Sequence, residues 1–368
     1  MKRKLFMAGA ALILTAGALN GAVRKESVAD ASDCRFEYTG RTLVKGADVS
    51  YDWSGVYVRI RFTGTRLTLR CSSTGQTWFN LWESHEFAPK EDAKFSVSSC
   101  DTTLVLAEGL RNGEHEIILQ KRTEGEQGMV TLHSFCCDGD FLQSCRRKDR
   151  HIEFVGDSYT CGYGTESDSR DDPFEAATEN CNLTYAAIAA RYFDADFNLV
   201  SHSGQGICRN YDDFRPGYNM PERYVQTFDM DSNEIWNAEA APYKPDIVVI
   251  YLCTNDFSTN RQPRLQAFTD KYAMLLGSIA ENYGEDIPVL CMASKADPLC
   301  ADYVRAACMK SGLQNAFFMS LSDGIHNDTD ELGASWHPNY KGHLKVASCA
   351  IPYISTLTGW EMSEKAYR

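Results

Sequence analysis

Four short segments of the chain hold the residue types that acyl transfer requires. Gly156-Asp157-Ser158 offers a hydroxyl, His202-Ser203-Gly204-Gln205-Gly206 a glycine-rich turn, Thr254-Asn255-Asp256 a neutral amide, and Trp336-His337-Pro338 an imidazole. Acyl transfer needs an activated nucleophile, a base to take its proton, and donors for the developing oxyanion. Ser158 is the candidate nucleophile, placed at the start of a helix where the N-terminal field favours negative charge. His337 is the candidate general base, since an imidazole titrates at about 6.5 when unperturbed. It is the only one of eight histidines set just before a closing helix in a Trp-His-Pro context, with His202 and His326 as rivals. The backbone N–H groups of Ser158 and Gly204 and the side-chain amide of Asn255 are candidate oxyanion donors. Glycine permits close backbone approach, and asparagine brings two donors without charge. Each tripeptide alone is ordinary turn sequence. Their weight comes from their order along the chain.

Three of the four segments follow strand candidates. Short apolar runs at 151–155, 196–201, 247–252, 287–292 and 316–320 alternate with helical patterns at 184–193, 264–281, 302–311 and 340–358, the last despite Pro352. Such alternation implies βαβ units and a doubly wound, flavodoxin-like parallel sheet over residues 150–368. Ligands bind outside the C-terminal ends of the strands in these sheets, which is where the candidate residues fall. Residues 31–145 read differently. Runs such as 56–62, 66–71 and 115–120 alternate with period two, and turn clusters at Thr63-Gly64-Thr65 and Asn112-Gly113 punctuate them. This predicts an all-β sandwich or jelly roll in front of the α/β domain.

The net charge of −13 argues against a nucleic-acid partner, because phosphate binding draws on clustered Lys and Arg. Lys2-Arg3-Lys4, an apolar run from Leu5 to Leu14 and the small residues Ala16-Gly17-Ala18 have the pattern of a signal peptide over residues 1–22. The run is too short to span a bilayer comfortably, so the mature protein is expected to be secreted or periplasmic, without a membrane anchor. The 14 cysteines are scattered, several of them in apolar segments, and no C-x-x-C occurs. Most are expected to be core thiols, with a few bridged pairs open. No pattern calls for a metal or a cofactor.

From Ile152 to the C-terminus the four segments resemble the blocks of the SGNH (GDSL-like) hydrolases, with Gly156-Asp157-Ser158, Gly204, Thr254-Asn255-Asp256 and His337 in matching places. The stretch Ser203-Gly204-Gln205-Gly206-Ile207-Cys208-Arg209-Asn210-Tyr211 is similar to carbohydrate esterase family two. So is the front half, at Phe36-Glu37-Tyr38-Thr39-Gly40-Arg41, Trp53-Ser54-Gly55, Arg61-Phe62-Thr63-Gly64-Thr65 and Leu119-Gln120-Lys121-Arg122-Thr123-Glu124. The resemblance implies a jelly roll before the catalytic domain and an acetylated carbohydrate, such as xylan or glucomannan, as substrate. It reinforces Ser158, His337, Gly204 and Asn255 in the roles assigned above.

Two departures from the SGNH pattern stand out. The Asp usual three residues before the histidine is Ala334, with Ser335 next to it, and Cys253 replaces the usual glycine of block three. A Ser–His dyad is therefore expected, with a backbone carbonyl near Ala334 holding the imidazole, while Asp330 or Asp323 folding back is the alternative. Trp336, Tyr211 and Trp53 are candidates for an aromatic platform under a sugar ring, Trp53 reading equally as core. His202 is a candidate to line the site. The competing functions are a general SGNH esterase or lipase, and a non-catalytic carbohydrate-binding protein. The latter predicts loss of Ser158, His337 or Asn255, and all three are present.

Overall fold

The computed structural model describes residues 26–84, 86–213, 218–294, 297–321, 325 and 329–362. The candidate signal peptide, Asp323 and His326 lie outside them.

The α/β half is built on five parallel strands in the order Asp196–Ser201, His151–Gly156, Ile247–Leu252, Val289–Ala293, Ala316–Ser320. All but the last are buried along their whole length, as a sheet covered on both sides requires, with His151, Glu153, Asp196 and Asn198 as buried polar members. Along Ile247–Leu252, Val248, Ile250 and Leu252 pack toward the helices Leu265–Tyr283 and Pro298–Ser311. Ile247, Val249 and Tyr251 pack toward Tyr185–Tyr192 and Tyr340–Thr358. Period two in the strand thus feeds both layers. Pro298–Ser311 starts four residues earlier than its apolar period predicts, because Asp297 caps Leu299 N–H and Pro298 occupies the first turn. Pro352 is accommodated inside the closing helix.

The front half is an antiparallel sheet dominated by two long strands, Tyr57–Ser73 and Thr102–Lys121. The expected turns at Thr63-Gly64-Thr65 and Asn112-Gly113 are irregularities inside these strands rather than breaks between short ones. The Asp138 carboxylate takes the Thr65 and Arg66 N–H groups at 2.6 and 2.9 Å, so the strand bulges instead of turning back. Beyond that bulge the strand exchanges Glu37–Thr39 and Phe141–Leu142 for Val130–Cys137 as neighbours.

Strand alternation also makes the interface between the halves. Val58, Ile60 and Phe62 face the β core, whereas Tyr57 and Arg59 reach Asp196 of the parallel sheet, each at 2.7 Å. One contiguous apolar core includes Val49 and Trp53 from the front together with Tyr224 and Ile250 from behind. Eight of the cysteines are buried, at 71, 137, 161, 181, 253, 291, 300 and 308, and all 14 are free thiols.

Candidate active site

The first parallel strand ends at Gly156, where a Cβ would overlap Thr160 Oγ1. The tight turn that follows is capped by Asp157, whose side chain accepts from Tyr159 N–H at 3.1 Å. With Asp157 as cap, the Ser158 hydroxyl is left for other work. The helix from Ser158 is a single turn, ending at Gly162 with φ +85°, so the extended N-terminal field expected there shrinks to a few local N–H groups.

Ser158 Oγ lies 2.8 Å from His337 Nε2. His337 Nδ1 faces two carbonyl oxygens, Ala334 at 3.2 Å and Ser335 at 3.0 Å. A carbonyl only accepts, so Nδ1 carries the proton and Nε2 is the free acceptor for the serine hydroxyl. Ser335 and Trp336, at φ +52° and +65°, are consecutive left-handed residues that form the turn presenting those carbonyls. Asp330 is committed elsewhere, to Lys341 Nζ at 2.9 Å.

Aromatic rings enclose the imidazole. Tyr163 stacks on it with centroids 4.3 Å apart, Phe174 stacks behind Tyr163 at 4.2 Å, and Tyr159 meets it edge-on at 5.4 Å. This burial pushes the imidazole pKa down to about 4, against the two carbonyls, which favour the charged ring.

The block-two loop is held from the third strand. Asp256 accepts the N–H groups of Ile207, Cys208 and Arg209 at 2.9, 2.8 and 3.1 Å. A Cβ at Gly206 would overlap the Arg209 carbonyl, which explains glycine there, and Gly204 sits at φ +78°. Asn255 Nδ2 donates to the Gln205 carbonyl at 2.8 Å and to Asp157 Oδ2 at 3.1 Å, joining all three strand-end segments. Burial pushes the Asp157 carboxyl up to about 7, against the pull of the Tyr159 N–H. Cys253, where the wider pattern has glycine, takes φ +99°, a conformation that suits glycine far better.

The outer candidates divide. Tyr211 and Trp336 are 58% and 57% exposed, Tyr211 N–H donating to the Gly204 carbonyl and Arg170 covering the Trp336 ring at 3.9 Å. Trp53 is fully buried, its indole N–H bonded to the Thr227 carbonyl, and so belongs to the core rather than to a platform. His202 is 3% exposed, with Nδ1 at 2.9 Å from Asp229 and Nε2 at 3.4 Å from Glu126. Burial alone would push its pKa down, but Asp229, Glu126 and Glu124 raise it to about 10. Both ring nitrogens face carboxylates, so the ring sits under the loop with its polar atoms already engaged.

Among the described residues, Glu124, His202 and Asp229, and Glu124, Cys161 and Glu179, bring donor atoms within 4.8 Å of one another. Arg223, 2.6 Å from Asp229, and the buried Lys121 supply positive charge there, so the donor set suits an internal ion-pair network better than a metal. Tyr159, Tyr163, Phe174, Asp256 and Glu124 were not singled out from sequence. Asp256 adjoins Asn255 and Glu124 ends a segment carrying the family resemblance, but the aromatic residues left no signal beyond ordinary core composition.

A serine and an imidazole in contact at the C-terminal ends of a doubly wound sheet make the arrangement of a serine hydrolase. Residues 38–144 match the carbohydrate esterase 2 N-terminal model, and residues 154–345 match the GDSL-like lipase/acylhydrolase family. The chain belongs to the GDSL-like hydrolases and, within them, to the family two carbohydrate esterases, and is by class an ester hydrolase. It is 32% identical to the cellulase/esterase CelE of Acetivibrio thermocellus over 84% of its own length, and spans only 38% of that larger protein. It is 26% identical to an acetylxylan esterase/glucomannan deacetylase of Cellvibrio japonicus, covering 87% of this chain and 90% of the relative. A family two carbohydrate esterase from Clostridium thermocellum, solved in complex with cellohexaose, superimposes with a TM-score of 0.79. It is 31% identical, covering 89% of this chain and all of that one.

Proposed function

We propose that the protein is an exported O-acetyl esterase acting on acetylated polysaccharides or oligosaccharides, with xylan and glucomannan as the leading substrates. The observation that carries this reading is the 2.8 Å contact between Ser158 Oγ and a His337 Nε2 left unprotonated by two backbone carbonyls. In the proposed reaction His337 takes the hydroxyl proton as Ser158 attacks the acetyl carbonyl. The N–H groups of Ser158 and Gly204 and the amide of Asn255 stabilise the oxyanion, Asn255 exchanging its longer bond to Asp157 for the new one. His337 returns the proton to the departing sugar oxygen, and water then clears the acetyl-enzyme.

The substrate class rests on the relatives' names and on the exposed Tyr211 and Trp336 rings, which suit the apolar face of a sugar. Export rests on the basic and apolar pattern of the first 22 residues. No helix among the described residues is long and apolar enough to cross a membrane.

The test is acetate release from acetylated xylan and glucomannan beside hydrolysis of p-nitrophenyl esters of increasing chain length. Release from the polysaccharides with a preference for acetyl is expected. Activity on long-chain esters alone would favour a general esterase or lipase instead.

A further inference from the structure

Beneath the loop that carries Gly204 lies a carboxylate from the other half of the chain. Glu124 follows the long strand Thr102–Lys121 and is 2% exposed. Its Oε2 accepts the Ser203 N–H at 2.6 Å and the Cys161 thiol at 3.6 Å, and lies 3.8 Å from His202 Nδ1. Ser203 is the residue before Gly204, and Cys161 ends the one-turn helix that begins at Ser158. A single oxygen therefore touches both the oxyanion loop and the nucleophile helix.

The backbone around that carboxylate is fixed as well. Glu124 N–H donates to Glu179 Oε2 at 3.3 Å, and its carbonyl accepts from Lys121 Nζ at 2.9 Å. Gly125 N–H donates to Asp229 Oδ2 at 3.0 Å, the same oxygen that His202 Nδ1 reaches at 2.9 Å. Asp52, also from the front half, accepts the Asp229 and Met230 N–H groups at 2.7 and 2.9 Å. A backbone N–H held at 2.6 Å by a carboxylate oxygen is a directional restraint. It fixes the peptide plane one residue before an oxyanion donor.

We propose that Glu124 is a positioning residue: through its carboxylate the front domain sets the oxyanion loop and the nucleophile helix in register. The inference rests on the roles given above to Ser158 and Gly204. It gives the β domain a part in the chemistry beyond packing.

The test compares Glu124→Ala, Glu124→Gln and Ser158→Ala in the full chain. The readout is kcat per site titrated with a fluorophosphonate, alongside KM for p-nitrophenyl acetate. An ångström of misplacement can cost about 10²-fold, so Glu124→Ala is expected to lower kcat about 10- to 100-fold with KM within about twofold. Glu124→Gln keeps an oxygen for the Ser203 N–H and should retain about a third or more of kcat, a rescue that a general packing defect would not show. Unchanged kcat per site in Glu124→Ala, or Gln as impaired as Ala, overturns the proposal. Should the alanine variant fail to fold, Glu124→Asp replaces it, since losing one methylene withdraws the carboxylate. Aspartate is then expected to be about tenfold slower than glutamine, and the reverse order overturns the proposal. If Ser158→Ala keeps full activity, the catalytic reading fails and takes this one with it. An inactive Ser158→Ala beside a fully active Glu124→Ala removes the positioning role alone.

Discussion

Among the described residues, backbone carbonyls rather than a carboxylate stand behind the imidazole of His337, and its neighbours explain how it acts as a base. Tyr163 and Tyr159 pack against it, with Phe174 behind Tyr163, and burial pushes its pKa down to about 4, which keeps the ring neutral at ordinary pH, while the Ala334 and Ser335 carbonyls fix the tautomer. A protonated ring cannot take the Ser158 proton, so activity is lost only as pH falls through the lowered value. The acid limb of kcat/KM is accordingly expected near pH 4–5 rather than near about 6.5. The same depression adds stability that is present above the unfolded value and is lost as pH falls through the folded one. Asp330→Asn should leave kcat within about twofold, since that carboxylate pairs with Lys341, whereas a loss of about 10³–10⁴ would restore a triad. Asn255→Ala should lower kcat by about 10²–10³ if its amide meets the oxyanion. Ser158 and His337 stood out through the order of four segments along the chain, three of them after successive strand candidates, since each tripeptide alone is ordinary turn sequence. The rings around His337 were not, because a Tyr or Phe near a turn reads the same whether it packs a core or desolvates a base.

The elements that matter are small ones: a one-turn helix, a loop pinned by Asp256, and a turn with two left-handed residues in succession. Gly206 is a tight point, since any Cβ there overlaps the Arg209 carbonyl in a loop whose N–H groups are held by Asp256. Gly206→Ala should force the loop to shift, costing about 1–3 kcal/mol in thermal or urea unfolding and lowering kcat more than it raises KM. Wild-type stability and kcat in that variant would show that the loop does not depend on this contact. The larger elements were largely legible. The strands Asp196–Ser201, Ile247–Leu252 and Ala316–Ser320 run between the residues their apolar runs predict. The front sheet was less so, because glycine marks a bulge as readily as a turn, and the Asp138 carboxylate that settles Gly64 stands some seventy residues away in sequence. The sign of φ at Cys253, Ser335 and Trp336 is likewise set by tertiary packing and leaves no trace in a one-dimensional pattern.

At the scale of the molecule, the halves share a core and bury charge between them. Arg59 and Asp196 form a pair at 2.7 Å with side chains almost wholly out of water, so Asp196→Ala, which strands the guanidinium, should cost about 3–5 kcal/mol of stability. Buried arginines at a domain interface are invisible to composition, which counts them as surface, and this is why the sequence separated the halves more sharply than the structure does. The proposed reaction begins at one atom, Ser158 Oγ, in contact with His337 Nε2. The most direct test is to quench the full-length protein during turnover of p-nitrophenyl acetate and map the trapped acyl group by peptide mass spectrometry. One acetyl on the peptide bearing Ser158, absent in Ser158→Ala together with the activity, is the expected result. Undiminished acetate release by Ser158→Ala would contradict the account.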